Sequence, residues 1–83
     1  MTKEERAKLF KKIIAWGTIL DVDEYLLKGD GPDYPLLNKL IRDVGYNLLE
    51  KIFVSFLISK RSFSSKQEFV ASIMAQRKRM IGG

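Results

Sequence analysis

The chain has 83 residues, of which 46% are apolar and 30% charged, and its formal net charge is +5. A chain of this length predicts a single domain, residues 1–83, which the spacing described below indicates to be helical. Because it contains no cysteine and no histidine, disulfide frameworks, zinc fingers and imidazole-based metal or catalytic sites are excluded, and we expect no cofactor and no enzymatic activity.

The N-terminal segment predicts a helix that begins near residue 3. Thr2 and Glu5 have the spacing of a capping box, in which a hydroxyl and a carboxylate satisfy free amides of the first turn. Apolar residues follow at helical spacing as far as Leu20. Helix propensity drops at Gly17-Thr18, so we expect a break or kink there.

An acidic connector follows at residues 21–35, which carry five acidic side chains and one basic one. We expect a short second helix that ends near Lys28, with Gly29 as its left-handed terminal residue. The segment Gly29–Pro35 contains two glycines and two prolines and predicts a loop. Its acids do not match the spacing of an EF-hand loop, so no metal site is predicted.

The next segment predicts one long central helix. Pro35 suits its first turn, and apolar residues recur at steps of three and four residues as far as Leu57. Gly45 lies inside this predicted helix, where it costs about 1 kcal/mol relative to alanine. We interpret it as a position at which a neighbouring helix approaches closely.

The second half of this helix is apolar on nearly all sides. Between Ile52 and Ile58 only Ser55 is polar. A strand is the competing interpretation, but continuity with the upstream spacing favours a helix. We expect it to be enclosed by neighbouring helices or by a second subunit, with Leu48, Ile52 and Phe56 in the core.

A fourth helix is predicted after residues 60–65, which interrupt the apolar pattern. Ser65 and Glu68 have the spacing of another capping box, and apolar residues from Phe69 to Ile81 mark one side of the helix. The sequence contains no internal repeat and no alternating strand pattern. It therefore predicts an all-α fold, a compact three-to-four-helix bundle.

Basic residues near both ends of the chain form the candidate binding surface. They flank the acidic connector, and this arrangement can attract a phosphate backbone, an anionic membrane or an acidic protein. A solvated helix surface explains the same residues, because the aromatic side chains have core spacing and do not alternate with the bases. The candidates are Lys8, Lys11, Lys12, Lys60, Arg61, Lys66, Arg77, Lys78 and Arg79.

These features predict a protein that acts by binding a macromolecule. We expect a protein partner, with the chain as a regulator, an inhibitor or an immunity factor. Nucleic-acid binding through the basic helix surfaces is the alternative. An enzyme ranks third, because no pair of carboxylates is placed in a recognisable cleft.

The location and the oligomeric state are also expectations. The first residues carry charges of both signs, which argues against a signal or transit peptide. No stretch reaches the roughly 18 uncharged apolar residues of a membrane-spanning helix. We expect a soluble cytoplasmic protein, with peripheral membrane contact as an alternative. Because so small a chain can hardly cover residues 52–58, we also expect a homodimer or a tight partner complex.

Two motifs resemble those of the small helical immunity proteins that protect bacteria against their own class IIa bacteriocins. In that family a loop with Gly and Pro leads into a Pro-Leu helix start, as at Pro35–Ile41 after Gly31. A basic residue, then Phe-Ser and an acid or amide, opens the fourth helix, as at Lys60–Glu68. The likeness covers about half of the chain. It implies a cytosolic antiparallel bundle that acts near a membrane permease.

The chain also departs from that family. Its predicted central helix is longer, its N-terminal half is shorter, and it lacks the extended C-terminal tail that the family uses for recognition. The resemblance therefore implies the bundle more directly than it implies a recognition site.

Overall fold

Helix α1 spans Lys3–Ile19 in a computed structural model that describes residues 2–82. The Thr2 half of the capping box is present, since the Thr2 hydroxyl accepts a hydrogen bond from the Glu5 amide at 3.2 Å. The Glu5 carboxylate accepts a bond from the Thr2 hydroxyl at 3.1 Å. The expected break at Gly17-Thr18 is wrong, because α1 continues through both residues. Gly17 is buried, and a Cβ there would lie 2.5 Å from Leu26 Cδ1. Gly17 therefore allows Leu26 to pack closely against α1, and the helix stays intact.

The acidic connector folds as a turn and a hairpin. The expected second helix is reduced to one 3₁₀ turn, Asp23–Leu26. Strand β1, Leu27–Lys28, then pairs antiparallel with strand β2, Gly31–Pro32. Gly29 has the left-handed conformation expected of it, with φ of +66°, but it lies in the hairpin turn and does not end a helix. The Asp33 amide donates to the Leu26 carbonyl at 2.9 Å and closes the hairpin.

The predicted long central helix is two helices. Helix α2 spans Tyr34–Asp43 and helix α3 spans Tyr46–Ile58. Gly45 separates them with φ of +88° and ψ of 143°, a conformation that a helix cannot contain. No atom lies within 4 Å of the position that a Cβ would take there. Gly45 therefore serves the turn between the helices, and the expectation of close helix approach is wrong.

Helix α4 spans Lys66–Gly82 and begins where the sequence predicts. The Ser65 hydroxyl accepts a hydrogen bond from the Glu68 amide at 3.1 Å. The Glu68 carboxylate accepts one from the Ser64 amide at 3.0 Å and one from the Ser64 hydroxyl. The bonds from Ser64 hold the pKa of Glu68 below its ordinary value. The capping box is thus formed, but the Glu68 carboxylate accepts from the amide of Ser64 and not from that of Ser65.

The core confirms the all-α class across residues 2–82 and corrects one of its predicted members. Ile52 and Phe56 are buried as expected, but Leu48 is only half-buried and Leu49 is fully buried. Because the break at Gly45 gives α3 its own rotation, its buried side differs from the one that a continuous helix would have. The buried apolar residues are Phe10, Ile13, Leu20, Val22, Leu26, Leu37, Leu40, Leu49, Ile52, Phe53, Phe56, Phe69 and Ile73.

An aromatic cluster joins α3, α4 and the two connections that pack on them. Phe53 stacks on Phe69 with ring centroids 6.2 Å apart. Phe63, in the connection between α3 and α4, lies 5.2 Å from Phe56 and 5.1 Å from Phe69. Tyr25 lies 6.0 Å from Phe69, and its hydroxyl donates to the Phe63 carbonyl at 3.2 Å. The connection is therefore anchored by a side chain and by a backbone carbonyl.

Candidate functional site

The structure distributes the predicted basic residues over three parts of the chain. Lys8, Lys11 and Lys12 lie on α1, and Lys60 and Arg61 follow α3. Lys66 begins α4, whereas Arg77, Lys78 and Arg79 lie in its last two turns. The two groups on α4 are about 16 Å apart along the helix axis, because eleven residues separate Lys66 from Arg77. One helix therefore does not bring them together.

Arg61 is held by contacts within the molecule. Its guanidinium lies over the rings of Phe56 and Phe63, at 5.3 and 5.4 Å from their centroids. Its Nη2 donates to the Ser72 hydroxyl at 3.1 Å. These contacts fix the side chain against the aromatic cluster, so moving it onto a phosphate would cost their stabilisation, about 0.5–1 kcal/mol for an exposed cation–π contact.

Lys66 pairs with a buried carboxylate. Its Nζ lies 2.5 Å from Oδ2 of Asp33, whose side chain is 7% exposed. Asp33 also caps α2, because its Oδ1 accepts a hydrogen bond from the Leu36 amide at 3.2 Å. The hydrogen bond from Lys66 holds the pKa of Asp33 below its ordinary value, and the bond from Leu36 acts in the same direction against the effect of burial. Lys66 therefore ties α4 to the start of α2.

Two further bases contact the protein itself. Lys12 Nζ lies 5.9 Å from the centre of the Tyr46 ring. Burial raises the pKa of Tyr46, and its hydrogen bond to Glu50 acts in the same direction. Arg77 is half-buried, and its Nε is buried with no hydrogen-bond partner in residues 2–82. Of the nine predicted bases, those that are exposed and form no ion pair within residues 2–82 are Lys8, Lys11, Lys12, Lys60, Arg61, Lys78 and Arg79. Among these, Lys12 and Arg61 lie over aromatic rings.

Apolar side chains are exposed on one side of α3. Val54 is 37% exposed, Leu57 44% and Ile58 76%. Their spacing of three and four residues places them on neighbouring positions of the helix surface, and we name them the α3 face. Lys51, which is also exposed, lies one turn before Val54. Of the two expected ways to enclose residues 52–58, enclosure by the neighbouring helices is wrong, since these helices cover only Ile52, Phe53 and Phe56 fully. Enclosure by a second subunit stays a prediction.

Sequence reasoning predicted that residues 52–58 contact a second subunit or a partner, but it did not identify Val54, Leu57 and Ile58 as the exposed part of that segment. The signal was present, because a helix that is apolar on all sides has more apolar surface than one layer of neighbours can cover. Which residues form the exposed part could not be predicted from that pattern. The rotation of α3 about its axis depends on the break at Gly45. The spacing of apolar residues predicts a continuous helix there and gives no sign of that break.

Comparison with known proteins assigns this chain to no family. No protein-family model, no curated protein and no solved structure matches the chain. Within residues 2–82, none of the helices combines the length and the hydropathy needed to cross a bilayer. The resemblance of Pro35–Ile41 and Lys60–Glu68 to immunity proteins stays a prediction.

Proposed function

We propose that this chain is a cytoplasmic, non-enzymatic protein that acts by binding another protein through the α3 face. The role of a regulator, an inhibitor or an immunity-type factor belongs to the same proposal. The observation that carries it is the exposure of Val54, Leu57 and Ile58 on one side of a helix whose opposite side is core.

The α3 face offers enough apolar surface to contribute to binding. Full burial of one large apolar side chain contributes about 1.5–3 kcal/mol, so covering the exposed fractions of Val54, Leu57 and Ile58 would contribute about 2–5 kcal/mol before the costs of association. Lys51 and Lys60 lie one turn before and just after this face. Such charges at a rim increase the association rate and orient an acidic partner.

Affinity capture with matched variants tests this proposal. Tagged protein, its Ile58→Ser variant and its Ile81→Ser variant are incubated with nuclease-treated lysate of the source cells. Ile81 is 60% exposed on α4 and serves as the control for loss of an exposed isoleucine. We expect proteins that the wild type and Ile81→Ser retain and that Ile58→Ser loses. If all three retain the same proteins, the α3 face does not carry the binding.

Nucleic-acid binding is the second candidate function, and the exposed bases Lys78 and Arg79 support it. A phosphate-binding surface that used Arg77, Lys78 and Arg79 would lose about 2–3 units in the slope of log affinity against log salt when all three are changed to alanine. The internal contacts of Arg61 and Lys66 weigh against this candidate. Circular dichroism of the triple variant controls for loss of α4.

An unchanged salt slope in a folded triple variant would remove these three bases from any nucleic-acid site. Proteins that are captured from untreated lysate and absent after nuclease treatment would favour nucleic acid over a direct protein partner. The capture by Ile58→Ser and the salt slope of the triple variant therefore test the two functions separately.

A further inference from the structure

A second surface lies in the cleft between α1 and α2. It differs from the apolar α3 face because basic side chains line it. Its floor is aromatic: the rings of Phe10 and Tyr34 lie 5.6 Å apart in a tilted arrangement. Phe10 is buried, whereas Tyr34 is 56% exposed and belongs to both the floor and the surface. Three adjoining hollows of 340, 330 and 180 Å³ share Phe10 as a lining residue. All three lie beside α1 and share this residue, and we name them together the groove of the cleft.

The groove has the length of a short peptide segment. Its lining residues on α1 extend from Lys3 to Ile14, which is about 16 Å at 1.5 Å per residue. This length corresponds to about three turns of a helix. The side chains of a docking helix pack into grooves on the surface of another helix, here that of α1.

The rim of the cleft is basic. Lys3, Arg6 and Lys11 line it from α1, and Arg42 lines it from α2. No residue that lines any of the three hollows is acidic. Arg42 has an ion pair with Asp43 at 3.2 Å, but both side chains are exposed, so that pair is weak and can be exchanged for another. The cleft thus combines an apolar floor with positive charge on both sides.

We propose that this cleft binds an acidic amphipathic helix of a partner protein. The apolar side of that helix would contact Tyr34, Ala7 and Ile41, which lie around the buried Phe10. Carboxylates beside it would pair with Lys3 and Arg6. Charge complementarity selects an acidic ligand, and the aromatic floor selects one that also has apolar side chains. A phosphate backbone satisfies the first requirement and leaves the floor uncovered. The proposal is independent of the α3 face.

Two charge reversals on α1 provide a matched test. Arg6 lies four residues before Phe10 and lines the cleft. Lys8 is also exposed, but it lies about 160° around the helix from Phe10. Arg6→Glu and Lys8→Glu therefore change the net charge of the protein by the same amount, and both place a glutamate on α1. Only Arg6→Glu reverses a charge that lines the cleft. Tyr34→Ala removes the exposed part of the floor.

The probe is a fluorescein-labelled synthetic peptide of about twelve residues, with Leu at helical positions i, i+3 and i+7 and Glu at most others. At about 0.15 M salt we expect saturable binding with a Kd between about 1 and 100 µM. We expect Arg6→Glu and Tyr34→Ala each to weaken binding about tenfold, and Lys8→Glu to change it less than about twofold. Amide chemical shifts should change at Ala7, Asn38 and Ile41, which line the cleft.

Several results would overturn the proposal. One is the absence of saturable binding up to about 1 mM peptide. Equal losses of peptide affinity in Arg6→Glu and Lys8→Glu would show that the peptide responds only to the net charge of the protein. A peptide with Ser in place of Leu that binds as well would show that the floor is not used. If a DNA duplex or vesicles with anionic lipid compete with the same dependence on Arg6 and Tyr34, the cleft is a site for that ligand instead. None of these results bears on the Ile58→Ser experiment.

Discussion

The effect of Gly45→Ala on the free energy of unfolding distinguishes the observed break between α2 and α3 from one continuous helix. The two arrangements predict changes of opposite sign. In a continuous helix, alanine would stabilise the protein by about 1 kcal/mol relative to glycine. In the structure Gly45 has φ of +88° and ψ of 143°, close to a region that only glycine populates readily and that costs other residues about 1–3 kcal/mol. No atom is near enough for a steric clash with the new Cβ. The expected loss therefore comes from backbone strain alone.

Thermal unfolding followed by circular dichroism measures this effect. For a domain of this size 1 kcal/mol corresponds to about 4–8 °C, so Gly45→Ala should lower Tm by about 4–24 °C. Gly45→Asn should not recover the loss, because the left-handed region that Asn tolerates has ψ near +45°, far from 143°. Gly31→Ala is the control, since Gly31 has no positive φ and open space around it. A raised Tm with increased helicity in Gly45→Ala would refute the break between α2 and α3.

Three further expectations concern stability and assembly. Asp33→Asn keeps a capping side chain but removes the ion pair with Lys66. Because the pKa of Asp33 is lowered in the fold, its ionised form stabilises the protein above its unfolded pKa of about 4, and this is lost as the pH falls through the folded pKa. Urea titrations should therefore show wild type and Asp33→Asn converging below about pH 4, and a constant difference would exclude the pair as the cause. Ile52→Ala should cost about 2–5 kcal/mol, since Ile52 is fully buried, and near-normal stability would contradict its place in the core. Light scattering should show a dimer or, with a partner, a complex; a monomer at high concentration that binds no hydrophobic dye would contradict this expectation.

Local signals predicted the helix starts well. Thr2 and Ser65 cap α1 and α4 as their spacing with Glu5 and Glu68 indicates, because a capping box is formed by residues that are close in sequence. Pro35 lies in the first turn of α2 for the same kind of reason. These features need no information about the rest of the chain.

The two internal glycines show where local signals are insufficient. The sequence predicts a break at Gly17 and a continuous helix through Gly45, and the structure has the reverse. Both glycines weaken a helix by the same amount locally. Packing decides between them: Leu26 lies against Gly17, whereas Gly45 takes a backbone conformation that separates two helices with different buried sides. Contacts between distant segments cannot be derived from spacing alone.

The candidate site was predictable only in part. All nine bases lie in the described chain, and most are exposed as expected of charged side chains. Their partners depend on the tertiary fold: Asp33 is 33 residues from Lys66, and the Arg61 guanidinium lies over two aromatic rings. The cleft and the α3 face likewise arise from how helices pack and rotate. The positions of the charges follow from the sequence, whereas the packing of the helices determines which charged groups are free to bind a ligand.

The anchored connection between α3 and α4 restricts how two copies of this chain can associate. Exchange of α4 between subunits would require residues 59–65 to open as a hinge. Such an opening would pull Phe63 out of its contacts with Phe56 and Phe69 and break the bond from the Tyr25 hydroxyl to the Phe63 carbonyl. Because full exposure of a buried Phe side chain costs about 1.5–3 kcal/mol, exposing the half-buried Phe63 ring costs up to about that amount, in addition to the lost hydrogen bond. Any dimer is therefore expected to form by docking of complete, closed subunits, so that its dissociation needs no unfolding and its equilibrium is reached quickly on dilution.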